Sequence, residues 1–255
     1  MAFIFDAHAH YDDDKFDNDR EEVLLSMKEK DVACIVNAGT NIKTSQWSLD
    51  YSDKYDFMYA TVGIHPECAD NLPENYIEQI EKLAQHKKAV AIGEIGLDYY
   101  WDSVPRDVQK DIFIKQIELA NKLDMPVVVH DRDAHGDTMD ILRKYKPKGL
   151  VHCFSGSVEM CREIVKLGMS ISLGGVVTFK NARHSVEVAE YIPLDRLLLE
   201  TDAPYLSPVP FRGKRCDSSM IKYTAMRIAE IKGISMEELL NITTENSCKL
   251  YNITL

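Results

Sequence analysis

The chain has 255 residues, of which 45% are hydrophobic and 28% are charged, and its formal net charge is −11. This length and composition suit one large α/β domain or two small ones, and they exclude fibrous and disordered chains. The negative charge disfavours a protein that coats DNA or anionic membrane with its whole surface. The same net charge is compatible with a nucleic-acid enzyme that binds cations at its active site.

No apolar run in the sequence reaches the ~20 residues that a membrane helix requires. An apolar run begins at residue 2 and is followed directly by Asp6, so no signal peptide is expected. The six cysteines are scattered without a C-x-x-C pair, which predicts reduced thiols. We therefore expect a cytoplasmic protein that has no membrane contact.

Apolar runs that predict buried strands alternate with segments that predict helices. Strands are predicted near residues 2–5, 32–39, 57–63, 89–93, 126–129, 149–151, 169–173 and 197–199. Helices are predicted near residues 17–30, 73–86, 107–123, 138–144, 158–167, 185–191 and 219–232. Thr40 or Asn41 is the expected cap of one further helix, and a last helix is predicted to start at residues 235–238.

These strands are too continuously hydrophobic to be half exposed, which indicates a parallel sheet covered by helices. Eight strand–helix repeats predict an α/β fold of the (β/α)₈ type, a TIM barrel, in one domain over residues 1–255. A doubly wound open sheet is the alternative. It is disfavoured because no G-x-G-x-x-G pattern follows the first strand.

Potential metal ligands stand at the strand ends, where the active site of such a barrel lies. The first strand closes with Asp6-Ala7-His8-Ala9-His10, and the alternation of side chains along a strand puts His8 and His10 on one face. The ends of later strands carry His65, Glu94, His130, His152 and Asp202. The other three histidines, at positions 86, 135 and 184, are predicted to lie in helices or loops at the surface.

Imidazoles and carboxylates in this pattern can hold two divalent ions, with one carboxylate bridging them. Gly93 and Gly96 stand near Glu94 and leave room for a close approach. Asp202 follows a fully apolar strand, so its buried carboxylate requires a metal or a hydrogen bond. A pair of ions would lower the pKa of a shared water, and Asp202 could take its proton. Asp202 and Glu94 are therefore the predicted catalytic residues.

Six motifs together closely resemble the TatD family of metal-dependent hydrolases. They are DAHAH (6–10), GIHP (63–66), GEIGLD (93–98), HCFSG (152–156), ETDAPY (200–205) and PFRGKR (210–215). The resemblance covers essentially the whole chain and is specific in combination, whereas the H-x-H pair alone is shared with the wider amidohydrolase superfamily. It implies a TIM barrel and a deoxyribonuclease that depends on Mg²⁺ or another divalent ion, often a 3′→5′ exonuclease on single-stranded DNA.

The resemblance also implies the ligand sets. One metal would be held by His8, His10, Glu94 and Asp202, and the other by Glu94, His130 and His152. His65 matches the family's additional pocket histidine, which contacts phosphate or a further metal; an anchor for the loop before Pro66 is the alternative. Cys216 departs from the family, which usually has Asn after the arginine, and this departure concerns a loop contact and not the metal site.

Other side chains near the predicted site could contact a nucleic-acid substrate. Arg212, Lys214 and Arg215 follow the eighth strand within reach of Asp202, and we expect them to contact substrate phosphates. Tyr99, Tyr100 and Trp101 follow the fourth strand, where base stacking and a packed aromatic plug both fit the pattern.

Two other functions are compatible with parts of the sequence. The first is deacylation or ester hydrolysis, including removal of D-amino acids from tRNA, in which the same water would attack a carbonyl carbon. Glu94 stands where many superfamily relatives carry a modified lysine, which favours phosphodiester cleavage. The second is a non-catalytic metal-binding barrel, against which the intact ligand set counts. Zn²⁺, Mn²⁺, Ni²⁺ and Mg²⁺ all fit the mixed nitrogen and oxygen donors, and a monomer is expected.

Overall fold

The sheet contains eight strands that follow one another in chain order. The computed structural model describes residues 3–101 and 103–255, so Ala2, predicted to begin the first strand, lies outside the described residues. The strands are β1 (Ile4–Ala9), β2 (Val32–Ala38), β3 (Met58–Val62), β4 (Ala89–Asp98), β5 (Val127–Arg132), β6 (Gly149–Val151), β7 (Ser170–Leu173) and β8 (Leu197–Leu199). Each strand pairs in parallel with the next one. The predicted (β/α)₈ barrel is confirmed.

Helices alternate with these strands. They are α1 (Arg20–Ser26), α2 (Ile42–Lys54), α3 (Tyr76–Ala84), α4 (Arg106–Leu123), α5 (His135–Tyr145), α6 (Val158–Lys166), α7 (Arg183–Tyr191), α8 (Ile221–Lys232) and α9 (Met236–Tyr251). None of these described helices is both long and apolar enough to cross a membrane. The six cysteines are all free thiols.

The helix predicted over residues 17–30 is divided in the structure. The α-helical part ends at Ser26, and residues Lys28–Lys30 form a 3₁₀ turn. The division follows from the hydrogen bonding, because the Met27 N–H donates to the Leu24 carbonyl three residues back, which tightens the last turn. Helix α5 also differs from the prediction, since it begins at His135 and not at residue 138.

Two predicted helix starts are confirmed by their caps. The Asn41 side chain accepts a hydrogen bond from the Thr44 N–H at 3.0 Å, and the Thr44 hydroxyl accepts one from the Asn41 N–H at 3.0 Å. Ser235 accepts from the Glu238 N–H at 3.1 Å and begins α9. Each cap satisfies backbone donors that the first turn of a helix leaves unpaired.

Beyond the strand ends, the segments after β1 and β8 are joined by backbone hydrogen bonds. The Asp202 N–H donates to the His8 carbonyl at 3.1 Å, and the His10 N–H donates to the Ala203 carbonyl at 2.7 Å. The buried Asp6 carboxylate reinforces this junction, because it accepts from the Thr201 N–H at 3.0 Å and from the Thr201 hydroxyl at 2.6 Å. The fold therefore holds Asp202 beside the two histidines of β1.

Buried apolar side chains fill the molecule in two clusters. The larger one combines strand and helix residues. The smaller one takes side chains from several strands, among them Phe5, Val36, Val128 and Leu198. Tyr251 of α9 packs against this cluster, and its hydroxyl donates to the Ala7 carbonyl at 2.9 Å. Close packing of this kind fixes the strands and hence the positions of the residues at their ends.

Candidate metal centre

The strand ends bring the predicted site residues together around one cavity of about 970 Å³. His10, His65, Glu94, His130, His152 and Asp202 line it. His8 is fully buried beneath them, with its Nε2 atom 3.4 Å from Glu94 Oε2. Seven side chains from six different strand ends therefore converge on a single centre.

One group of donor atoms surrounds Glu94 Oε2. The Nε2 atoms of His8 and His10 lie 3.0 Å apart, and each is 3.4 Å from this oxygen. Asp202 Oδ1 lies 3.8 Å from His8 Nε2 and 3.5 Å from His10 Nε2. Bonds of about 2.0–2.2 Å to a shared tetrahedral ion would separate its ligand atoms by roughly 3.3–3.6 Å. The spacing of these four donors therefore fits one divalent ion.

A second group surrounds the other carboxylate oxygen of Glu94. His130 Nδ1 lies 2.9 Å and His152 Nε2 lies 2.7 Å from Glu94 Oε1, and these two nitrogens are 3.3 Å apart. The two oxygens of one carboxylate thus face two different sets of imidazoles. This arrangement is the one expected of a carboxylate that bridges two metal ions.

Hydrogen bonds on the far side of the rings direct ligand lone pairs towards the centre. His10 Nδ1 lies 3.2 Å from the Ala38 carbonyl and can donate to it, so Nε2 is the nitrogen that faces the other donors of the centre. His130 Nε2 donates to Asp98 Oδ2 at 2.9 Å, so Nδ1 is the nitrogen that faces the centre and can bind a metal once its own proton is displaced. Outer carboxylates and carbonyls of this kind orient metal-binding histidines in many proteins.

Glu200 holds a similar position behind His152. The Glu200 Oε1 atom is 3.7 Å from His152 Nδ1, and the Ser172 hydroxyl donates to its other oxygen. Glu200 is fully buried. It is therefore placed to attract the Nδ1 proton of His152 and to keep Nε2 available to an ion.

In His65 the outward-facing ring nitrogen accepts a hydrogen bond, whereas in the three histidines described above it faces an acceptor. Its Nδ1 atom accepts a hydrogen bond from the Glu67 N–H at 3.2 Å, which leaves the proton on Nε2. Nε2 points towards Glu94 Oε1 at 3.5 Å. Burial lowers the pKa of His65 to about 3, so the ring is neutral at pH 7. In this state Nε2 is a hydrogen-bond donor; without that proton it would be one of three ligand atoms, with those of Glu94 and His130, that could hold an ion.

The pKa values show that the carboxylates require positive charge. Burial alone would lower the pKa values of His130 and His152, but the attraction of Glu94 and hydrogen bonds with carboxylates outweigh its effect. These effects raise the pKa of His130 to about 8 and that of His152 to about 10. Burial would raise the pKa of Glu94, yet His152, His65 and His8 hold it well below its usual range. Protons or divalent cations can supply the charge, so the donor set fits metal binding.

Several cavity residues were not identified from the sequence. Asp98 and Glu200 orient His130 and His152, and Arg132 lines the cavity two positions after His130. An acidic residue at the end of an apolar strand was the available signal for Asp98 and Glu200. For Arg132 the available signal was the alternation of side chains along β5, which puts the last residue of that strand on the same face as His130.

Arg212 and Lys214 lie outside the lining of this cavity as formed by the described residues. The Arg212 guanidinium stacks 3.9 Å from the centre of the Phe179 ring. Lys214 Nζ lies 5.7 Å from the centre of the Phe211 ring. The predicted contact of the two cations with substrate phosphate stays a prediction. The buried Cys216 takes part in this loop through its backbone, whose N–H donates to the Pro204 carbonyl at 3.0 Å.

Comparison with known proteins places the chain among metal-dependent hydrolases. The family model described as TatD related DNase matches residues 5–252. The uncharacterized metal-dependent hydrolase YabD of Bacillus subtilis is 45% identical over 253 residues, which cover 98% of this chain and 99% of the relative. The uncharacterized metal-dependent hydrolase YcfH of Escherichia coli is 37% identical over 257 residues, with 98% and 96% covered.

Solved structures agree with this assignment. The crystal structure of YjjV, a TatD homologue from Escherichia coli, superposes with a TM-score of 0.92 at 28% identity and covers 98% of each chain. A TatD family hydrolase from Entamoeba histolytica superposes with a TM-score of 0.89 at 25% identity, with both chains fully covered. The family model, the relatives and the fold lead to one conclusion: the chain belongs to the TatD family and is a metal-dependent hydrolase.

Proposed function

We propose that the protein is a deoxyribonuclease that uses two divalent ions to cleave phosphodiester bonds in single-stranded DNA, as a 3′→5′ exonuclease. The observation that carries this proposal is the position of Glu94, whose Oε1 and Oε2 atoms face separate groups of imidazoles. One ion would be held by His8, His10, Glu94 and Asp202, and the other by Glu94, His130 and His152. The name of the matching family model, TatD related DNase, agrees with a DNA substrate.

When bound, such an ion pair supplies a water of lowered pKa and neutralises the charge of the reacting phosphate. The protein's own residues orient the substrate and take the proton of the attacking water. Asp202 turns Oδ1 towards His8 and His10, which leaves Oδ2 to accept the proton of the attacking water. Its pKa is lowered, because the hydrogen bond with His10 outweighs the effect of burial, so the group is ionised and able to act as a base at pH 7.

His65 contributes a donor for the substrate. Its Nε2 proton points into the cavity from the side of Glu94 Oε1. A non-bridging phosphate oxygen can accept this proton in a hydrogen bond, and a neutral imidazole at this position does not repel the neighbouring cations. This role agrees with the substrate-binding function that the sequence indicates for His65.

The charge around the cavity favours attack at a chain end. Asp12, Asp13, Glu67 and Asp131 line the cavity outside the proposed ligands. Carboxylates repel a polyanion that passes across the opening, whereas one terminal nucleotide can reach the ions with less repulsion. The 3′→5′ direction is taken from the family resemblance.

The test is cleavage of a 5′-end-labelled single-stranded oligodeoxynucleotide with Mg²⁺, with Mn²⁺ and with a chelator. We expect a ladder of shortened products that requires the metal. A phosphorothioate linkage at the 3′ end should block the reaction, and the same linkage at the 5′ end should leave the early products unchanged. Absence of cleavage with both metals, together with release of D-amino acids from tRNA, would replace the nuclease with the deacylase.

A further inference from the structure

Two aromatic side chains and one arginine form a wall on one side of the metal cavity. Trp101 and Arg132 line the cavity, and Tyr100 adjoins them. The Arg132 guanidinium lies 3.9 Å from the centre of the Tyr100 ring and 5.7 Å from that of Trp101. The two rings meet edge to face at 4.9 Å. We call these three residues the aromatic wall.

The aromatic wall is not a packed plug. Tyr100 is 54% and Trp101 is 51% exposed. Two adjacent exposed aromatic side chains beside a cavity form a surface that a ligand can cover. The free area of Trp101 therefore offers a stacking surface at the cavity.

One buried carboxylate fixes the aromatic wall to the metal centre. Asp98 Oδ1 accepts hydrogen bonds from the Tyr100 N–H at 2.9 Å and from the Trp101 N–H at 3.1 Å. Asp98 Oδ2 accepts from His130 Nε2 at 2.9 Å. The backbone of the wall is also held to β5, since the Tyr99 N–H donates to the Arg132 carbonyl at 2.9 Å. The distance between the stacking surface and the proposed ligands is thus set by rigid contacts.

Charge makes this side of the cavity different from the others. Among the described residues that line the cavity, Arg132 is the only lysine or arginine, although the carboxylates of Asp98, Asp131 and Glu67 lie on the same side and Asp12 and Asp13 also belong to the lining. Of these described lining residues, Arg132 therefore offers the only permanent positive charge to the phosphate of a nucleic-acid strand. The guanidinium carbon lies over the Tyr100 ring, and a guanidinium held over a ring can still donate its N–H groups to a phosphate.

We propose that the aromatic wall binds the nucleotide next to the scissile phosphate, with its base stacked on Trp101 and its phosphate paired with Arg132. This proposal rests on the nuclease function proposed above and names the subsite that holds the rest of the strand. Stacking on a ring is tolerant of base identity, so the wall gives affinity for single strands without sequence preference.

Binding can be measured apart from cleavage through the fluorescence of Trp101, because the chain has only two tryptophans. The other one, Trp47, is stacked on Tyr51 at 3.9 Å in α2 and is removed by Trp47→Phe. Asp202→Asn in the same chain is expected to slow turnover enough for binding to be measured. We expect the thymidine tetranucleotide dT₄ to quench the remaining Trp101 fluorescence in the presence of Mg²⁺. A tetranucleotide without bases should bind roughly 5- to 100-fold more weakly, as expected for one lost stacking contact.

Two further variants separate the base contact from the phosphate contact. In the otherwise unchanged enzyme, Trp101→Ala should raise the KM for dT₈ about tenfold and leave cleavage of an abasic octamer unchanged. Arg132→Ala should weaken the binding of both substrates, because both carry phosphates. Phe3→Ala removes a ring that is 49% exposed before β1, at the opposite end of the barrel, and serves as the matched control.

The outcomes distinguish the two proposals. Cleavage of dT₈ without quenching of Trp101 by dT₄, or equal binding of dT₄ and the abasic tetramer, overturns the aromatic wall and leaves the nuclease in place. Quenching by dT₄ with no cleavage of any DNA overturns the nuclease and supports the wall as a nucleotide-binding surface. Loss of binding in Phe3→Ala to the same extent as in Trp101→Ala also overturns the wall, because the effect would not be local.

Discussion

At the scale of single residues, Asp98 connects two parts of the site. Its carboxylate is buried, and hydrogen bonds from His130 and from two backbone N–H groups outweigh the effect of burial on its pKa, which is lowered. The group is therefore an anion at pH 7 that can hold the Nε2 proton of His130. This keeps Nδ1 of His130 ready to bind a metal.

Substitution Asp98→Asn tests this role. We expect metal affinity to fall about 10- to 100-fold, the usual effect of losing an outer carboxylate behind a ligating histidine. Titration with a competing fluorescent chelator measures it without any substrate. Asp131→Asn is the matched control, because Asp131 lines the same cavity but accepts from His135 and Thr138. Equal loss of affinity in both variants would contradict a specific role of Asp98.

The carboxylate of Asp202 has a separate test. Asp202→Asn keeps the shape of the side chain and removes the base, so we expect cleavage to fall by roughly 10²- to 10⁴-fold. The thermal unfolding midpoint should change little in the presence of chelator. Full activity in this variant would show that another group deprotonates the water.

At the scale of elements, strand β4 depends on a close approach to β5. Gly96 pairs with His130, and its φ of +148° is in a region that side chains rarely adopt. A Cβ atom at this position would lie 2.0 Å from the His130 carbonyl oxygen. The absence of a side chain at Gly96 therefore lets β5 carry His130 up to Glu94.

We expect Gly96→Ala to lower the free energy of unfolding by at least about 2 kcal/mol, because backbone strain adds to the steric clash. Gly136→Ala is the matched control. Gly136 lies in the first turn of α5, where an added Cβ meets nothing within 4 Å, and the change should stabilise by up to about 1 kcal/mol. Urea unfolding measures both. Similar free energies for the two variants would contradict the account given for β4.

The elements also show why the sequence predicts some features and not others. Continuous apolar runs identify the eight strands. Because the site of such a barrel lies at the strand ends, the sequence also predicts that His8, Glu94 and His152 lie close together. The position of Arg212 depends on a loop whose path has no periodic pattern, so its stacking on Phe179 could not be foreseen. Asp98 is different, because it ends β4 and the alternation of side chains along the strand puts it on the same face as Glu94.

At the scale of the whole molecule, a net charge of −11 is compatible with the proposed DNA substrate only if cations neutralise the site. The protein's acidic surface and its acidic cavity lining both act against binding of DNA. Affinity for DNA should therefore depend on the divalent ion as well as on the protein. On its side of the cavity, the proposed attraction of the aromatic wall for DNA makes the affinity depend less on the divalent ion.

Metal binding should be coupled to proton release. With pKa values of about 8 and about 10, His130 and His152 hold protons at pH 7, and a metal must displace them. Affinity therefore rises as the pH increases towards 8, by about tenfold per pH unit for each proton released. Calorimetric titration with Mn²⁺ in buffers of different ionisation enthalpy counts these protons. A binding enthalpy that is the same in all buffers would contradict the coupling.

The position of the ions is the quantity on which the site, the mechanism and the proposed subsite all depend. Anomalous diffraction from crystals grown with Mn²⁺ measures it directly. We expect two peaks roughly 3.5–4 Å apart, one beside His8 and His10 and the other beside His130 and His152, with Glu94 in contact with both. A single peak, or peaks that do not contact Glu94, would contradict the two-metal centre.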